Sequence, residues 1–117
     1  MKAKMNKWSV WVDETRLDVL HGYLMHLLRE AGFSIISCQT HMFEPCGFTE
    51  LILLGESHLA VHTFPEQDTT YIELSSCVDG PYERFIAAFD PKAIDEHFRA
   101  VVAAEAADVR ARVPFLP

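Results

Sequence analysis

The chain of 117 residues has few cysteines and no spacing that would pair them. It contains three, Cys38, Cys46 and Cys77, and no C-x-x-C motif. An odd number without metal-ligand spacing argues against a disulfide framework and against a structural zinc site. We therefore expect at least one free thiol and no bound metal.

Long apolar runs and an excess of positive charge are also missing. No run approaches the roughly 20 residues that span a bilayer. The basic first residues, Met1 to Lys7, lead into an alternating segment that contains Asp13, which is unlike a signal peptide. The net charge of −7 leaves no basic stripe to neutralise phosphates. These features predict a cytoplasmic protein that binds neither membrane nor nucleic acid.

The hydrophobic pattern predicts a single α+β domain over residues 1–117. Alternating or apolar segments predict six strands, over residues 8–12, 33–39, 48–54, 59–64, 71–75 and 109–113. Helical spacing predicts helices over residues 17–31, 82–89 and 93–107, the first capped by Asp13 or Thr15 and ended by Gly32. A turn over 44–47 and a hairpin tip over 55–58 join the central strands.

These elements favour a two-layer sandwich, a mainly antiparallel sheet with helices on one face. The other sheet face then needs cover, which a second protomer could supply.

Residues 56–66 concentrate most of the reactive side chains. A serine such as Ser57 can attack its preceding carbonyl if the peptide is strained, although a turn serine is the commoner role. His58 and His62 are not neighbours on a strand, and a zinc site with Cys77, His41 or Glu66 is disfavoured because no metal-binding spacing is present. Taken alone, Cys77 at a strand end is more often a buried thiol.

Residues 56–66 read Glu-Ser-His-Leu-Ala-Val-His-Thr-Phe-Pro-Glu, and Cys77 follows eleven residues later at a strand end. Together they closely resemble the prokaryotic S-adenosylmethionine decarboxylases, pyruvoyl enzymes that cleave themselves at a Glu-Ser bond. The strong part of the resemblance runs from about His41 to Cys77.

The resemblance implies self-cleavage into residues 1–56 and 57–117. Ser57 would attack the Glu56 carbonyl to give an ester, and β-elimination would leave Ser57 as an N-terminal pyruvoyl group. His62 matches the family's histidine that removes the Ser57 α-proton. Thr49 matches the hydroxyl residue, usually serine, that stabilises the cyclic intermediate.

The resemblance also implies roles in decarboxylation. The pyruvoyl carbonyl would form a Schiff base with the substrate amine and accept electrons as carbon dioxide leaves. Cys77 matches the proton donor to the substrate α-carbon. Phe43 and Phe64 match aromatics that sandwich adenine, and Glu66 matches the carboxylate that binds the ribose hydroxyls.

Strand geometry places Ser57 and His62 in different active sites. Five residues of extended chain separate them by about 16 Å and point them to opposite faces. The family's solution is a homodimer with shared sites and a four-layer αββα assembly. One protomer supplies Ser57 and Cys77, and its partner supplies the remaining residues, Phe43, Thr49, His62, Phe64 and Glu66.

The substrate is less firmly indicated than the chemistry. Val78 stands where the family usually has glycine after the cysteine, and some members of the superfamily decarboxylate L-ornithine or L-arginine. Glu66 and the two aromatics favour S-adenosylmethionine, and hence a step of polyamine biosynthesis. A processing-dead paralogue that binds or regulates a partner is the third alternative.

Overall fold

A computed structural model describes residues 2–113. The elements follow one another in the order β1 (Asn6–Val12), α1 (Leu17–Ala31), β2 (Ile35–Met42), β3 (Phe48–Leu54), β4 (Ser57–Phe64), β5 (Thr69–Ser76), α2 (Asp79–Ala88) and α3 (Ile94–Arg112). Short 3₁₀ turns at Pro65–Gln67 and Pro91–Ala93 precede β5 and α3. The strands form one antiparallel sheet in the order β1-β5-β4-β3-β2.

The core lies between the sheet and the helices. Alternate residues of β3, such as Ile52 and Leu54, are buried, and α1 buries Leu20, Leu24 and Leu28 against that face. Fully burying each such side chain stabilises the fold by about 1.5–3 kcal/mol. The predicted α+β architecture, with helices on one side of an antiparallel sheet, is confirmed.

The opposite face of the sheet, which we call the open face, carries no helix of the described chain and exposes several large apolar side chains. Trp11, Leu51, Leu53 and Phe64 lie on it, and Leu51 and Leu53 are each about half exposed. Across residues 2–113, every helix is too short or too polar to cross a lipid bilayer.

The predicted sixth strand, over residues 109–113, is wrong. The segment continues α3 as far as Arg112. An i,i+4 ion pair joins Asp108 to Arg112 at 3.3 Å. Basic side chains in the last turn also stabilise the helix, because they interact favourably with the negative end of its dipole. Val109 and Val113 make the short segment resemble a strand, but the alanine-rich helix before Val109 extends through it to Arg112.

The predicted caps of α1 are correct only at its C-terminal end. Gly32 ends the helix with φ +98°, and its N–H donates to the Arg29 carbonyl. At the start, neither Asp13 nor Thr15 caps the helix. Instead the Glu14 carboxylate accepts the N–H groups of Thr15 and Arg16 at 3.0 and 2.9 Å. The Arg16 guanidinium lowers the pKa of that carboxyl.

The hairpin tip is shorter than the predicted four residues. Only Gly55 and Glu56 form the turn, and Leu54 pairs directly with Ser57. Ser57 therefore already belongs to β4, where it also pairs with Ser76 of β5. Glu56 makes this tight reversal with a left-handed backbone, φ +61°.

Candidate active site

The peptide between Glu56 and Ser57 combines backbone strain with a polarised carbonyl. A left-handed conformation costs a residue with a side chain about 1–2 kcal/mol, and Glu56 adopts it. Its carbonyl oxygen accepts the Cys77 Sγ–H at 2.9 Å and the Cys77 backbone N–H at 3.4 Å. Two donors thus point at the oxygen that gains negative charge when this carbonyl is attacked.

The Ser57 hydroxyl is buried and oriented by a residue that sequence reasoning missed. Ser57 Oγ donates to Ser76 Oγ at 2.7 Å, and Ser76 is fully buried. Ser76 Oγ donates in turn to the Val78 carbonyl and accepts the Val78 N–H, both at 3.1 Å. Only the register that pairs Ser57 with Ser76 distinguishes this serine from the adjacent Ser75 of β5.

Cys77 also opens onto a shallow pocket lined by the beginning of the chain. Lys2, Lys4 and Asp79 line this pocket. Lys4 Nζ lies 3.0 Å from the Asp79 carboxylate. A hydrogen bond from Asn6, followed by one from Lys4, lowers the pKa of Asp79, so this carboxylate is ionised near neutral pH.

A second group of predicted residues lies on the open face. Thr49 of β3 and His62 of β4 are directly paired, and Thr49 Oγ1 lies 3.1 Å from His62 Nδ1. The imidazole of His62 is stacked on the ring of Tyr71, with 6.4 Å between ring centroids. The hydroxyl and the imidazole therefore form one hydrogen-bonded unit, as joint roles in proton transfer require.

The predicted binding residues lie at the far end of the same face. Phe64 contacts Trp11, with ring centroids 5.8 Å apart, and Phe43 contacts His41 at 4.7 Å. Gly47 connects the two phenylalanines: its carbonyl accepts the Phe43 N–H, and its α-carbon lies against Pro65, next to Phe64. Glu66 is exposed in the 3₁₀ turn that follows.

The structure thus brings the predicted residues together as two groups. Glu56, Ser57 and Cys77 meet at the hairpin turn, while Thr49 and His62 meet further along the sheet. On β4, Ser57 is buried and His62 is partly exposed on the open face, five residues away. This corresponds to about 16 Å of extended chain. Neither group by itself contains every predicted role.

Comparison with known proteins identifies one family that this chain resembles. The family model described as S-adenosylmethionine decarboxylase matches residues 14–111. An S-adenosylmethionine decarboxylase proenzyme 2 of Bacillus cereus is 39% identical over 73 residues, 59% of this chain and 59% of that protein. A proenzyme of Parasynechococcus marenigrum is 37% identical over 70 residues, 57% of this chain and 55% of that protein. The chain thus matches less than two thirds of the length of these curated relatives.

The fold has a counterpart among solved structures. The adenosylmethionine decarboxylase of Aquifex aeolicus superposes with a TM-score of 0.62 over 74% of this chain and 78% of that one, at 21% identity. At that identity the likeness concerns the fold. The family match, which extends from before α1 nearly to the end of α3, carries the assignment. The chain belongs to the S-adenosylmethionine decarboxylase family.

Proposed function

We propose that this chain is a proenzyme that cleaves itself between Glu56 and Ser57 and then decarboxylates S-adenosylmethionine. Family membership and the relatives' name, proenzyme, support this function. The observation that carries it is the strained Glu56 residue, whose carbonyl is held by two donors of Cys77 and followed by a buried, oriented serine.

Self-cleavage uses groups of the chain itself. Ser57 Oγ bonds to the Glu56 carbonyl carbon, the C–N bond breaks, the hydroxyl proton passes to the released Ser57 amine, and the peptide becomes an ester. The Sγ–H and N–H of Cys77 stabilise the charge on the carbonyl oxygen during the attack. The left-handed strain of Glu56 is relieved as the peptide rearranges.

Breakdown of the ester needs a base near the Ser57 α-carbon. In our proposal, His62 of the partner subunit takes that proton, and Thr49 orients the imidazole through the 3.1 Å contact. The 1–56 carboxylate leaves, and addition of water releases ammonia and completes the pyruvoyl group on residue 57. Overall, one water is consumed and one ammonia is produced.

The pyruvoyl group supplies a carbonyl that withdraws electrons as carbon dioxide leaves. The chain fits this group because residue 57 lies beside Cys77, through the Glu56 carbonyl they share. Cys77 then donates a proton to the substrate α-carbon. Phe43 and Phe64 bind the adenine, and the Glu66 carboxylate accepts hydrogen bonds from the ribose hydroxyls.

The names of the relatives favour S-adenosylmethionine over L-ornithine or L-arginine as substrate. The residues agree with this substrate. Aromatic side chains can stack on the adenine of a nucleoside, and a basic amino acid has no such ring. The reaction belongs to polyamine biosynthesis. We assign it to the cytoplasm because its substrate and product are water-soluble small molecules.

We further propose a homodimer in which the open faces of two sheets meet as a four-layer αββα assembly. The exposed Trp11, Leu51, Leu53 and Phe64 favour it, because large apolar side chains exposed on one face of a sheet are stabilised by burial against a partner. The separation of Ser57 from His62 gives a second reason. A partner can bring its Thr49–His62 pair to the hairpin turn at Glu56 and Ser57, about 16 Å along β4 from this chain's own pair.

Trapping of released carbon dioxide tests the reaction. The purified chain is incubated in turn with carboxyl-labelled S-adenosylmethionine, L-ornithine and L-arginine. We expect label only from S-adenosylmethionine and none from the Ser57→Ala variant. Release only from a basic amino acid would overturn the substrate, and activity in Ser57→Ala would overturn the pyruvoyl chemistry.

A further inference from the structure

A group of metal-ligand side chains lies on the helix side of the sheet, away from the open face. Its centre is Glu50 of β3, whose side chain is only 2% exposed. Glu50 follows Thr49 in the strand and therefore points to the opposite face from the Thr49–His62 pair. A buried carboxylate is costly unless it is paired or binds a metal.

Glu50 is held by side chains from two other elements. His21 Nδ1 of α1 lies 2.9 and 3.0 Å from its two carboxylate oxygens, and Thr40 Oγ1 of β2 donates to Oε2 at 2.9 Å. Cys38 lies two residues before Thr40 on the same face of β2. One ligand atom each of His21, Cys38 and Glu50 falls within 4.8 Å of the others.

Nitrogen, sulfur and oxygen ligands in one group suit Zn²⁺, which binds all three donor types at about 2.0–2.3 Å. Tetrahedral bonds of that length place neighbouring ligand atoms about 3.5 Å apart. The His21–Glu50 contact must therefore open slightly and Cys38 must approach. Both can occur, since His21 is 40% exposed and Cys38 lies on the edge strand. Thr40 fixes the carboxylate as the outer hydrogen bond that metal ligands commonly have.

Charge favours the same ion. The Glu50 carboxylate and a Cys38 thiolate together neutralise a divalent cation. Without a metal, burial and then the charge of Glu50 raise the pKa of the Cys38 thiol. A bound cation reverses that balance, because it favours the thiolate.

Each ligand atom must present a free lone pair to the metal. Cys38 loses its thiol proton to water, and a neutral His21 moves its proton from Nδ1 to Nε2 so that Nδ1 can bind. Binding to the neutral histidine therefore releases one proton.

We propose that His21, Cys38 and Glu50 bind one Zn²⁺ per chain, with water as the fourth ligand. A cavity of about 330 Å³, lined by Leu17, Asp18, His21, Thr40 and Glu50, gives the ion a path from solvent. The sequence predicted no metal because the three ligands come from α1, β2 and β3, and so show none of the short spacings of a zinc motif.

Titration of the metal-free full chain with Zn²⁺, followed by calorimetry, tests the site. We expect one ion per chain, and at least about tenfold weaker binding in Cys38→Ser and in His21→Gln, as loss of a ligand should cost no less than loss of an outer-shell partner. Co²⁺ serves as a second probe, whose thiolate-to-metal absorption band should vanish in Cys38→Ser. Cys46→Ser and His26→Gln, which change another exposed cysteine and another α1 histidine, should bind as the unchanged chain does.

Two results would overturn the proposal. The first is the absence of Zn²⁺ binding at micromolar concentration, which would leave the cluster as a buried ion pair. The second is binding that survives both ligand variants but is lost in Cys77→Ser, which would place the ion at the hairpin. Circular dichroism checks that the variants fold. If His21→Gln does not fold, the Zn²⁺ affinity of Cys38→Ser alone tests the site. Because the readout is binding, the result does not depend on self-cleavage or decarboxylation.

Discussion

Replacement of Ser76 by alanine should slow self-cleavage. In the folded chain the Ser57 hydroxyl has one hydrogen-bond partner among the described side chains, Ser76 Oγ at 2.7 Å. The same Ser76 oxygen accepts the Val78 N–H. Alanine therefore leaves the nucleophile free to rotate, and three buried or half-buried polar groups lose this partner: the Ser57 hydroxyl and the N–H and carbonyl of Val78.

The magnitude follows from the cost of those groups. Leaving a buried polar group unsatisfied costs about 1–3 kcal/mol. If that energy holds Ser57 Oγ in its place near the Glu56 carbonyl, the cleavage rate should fall by between about fivefold and a hundredfold, at roughly 1.4 kcal/mol per tenfold.

A time course on a denaturing gel, started from newly synthesised precursor, measures the rate. Ser75→Ala is the matched control, because Ser75 is the neighbouring residue on the same strand and points to the other face. Ser75→Ala should cleave at nearly the unchanged rate. Equal rates for Ser76→Ala and the unchanged chain would refute the reasoning, and so would equal slowing by both variants.

Three further predictions concern strain, assembly and pH. Glu56→Gly should cleave between about fivefold and thirtyfold more slowly on the gel time course, because glycine removes roughly 1–2 kcal/mol of left-handed strain; Asp68→Gly, which relieves a second left-handed residue among residues 2–113, should not change the rate. Mixing inactive Cys77→Ala with inactive Phe64→Ala under subunit exchange should restore carbon dioxide release, whereas persistent inactivity would count against shared sites. Burial, and then a neighbouring histidine, lower the pKa of His97, so the unfolded state binds its proton first as pH falls. The urea midpoint should thus decline below about pH 6.5, less so in His97→Asn, and an unchanged decline in that variant would assign it to other groups.

Much of the fold could be predicted from local patterns. Strict alternation in Trp8 to Val12, and the leucine spacing that Gly32 ends, correspond to β1 and α1. The errors arise where two local signals compete. Val109 and its neighbours resemble a strand, but they follow a run of helix-forming alanines whose helix continues at little cost.

The site could be predicted only as far as sequence resemblance reaches. The resemblance identified Ser57 and Cys77, which the hairpin and the end of β5 bring together. It could not name Ser76, since a serine next to a cysteine has no meaning until strand register places it opposite Ser57. The contacts around Glu50 could not be predicted for the same reason, because helix packing rather than sequence spacing brings His21 to β3.

The mass of the purified chain tests the central claim most directly. The account predicts two chains, residues 1–56 and residues 57–117, the second beginning with a pyruvoyl group that has lost the Ser57 nitrogen as ammonia. Ser57→Ala should give one intact chain. A single full-length mass for the unchanged protein after prolonged incubation would contradict the account, as would a second chain that begins with a free serine amine.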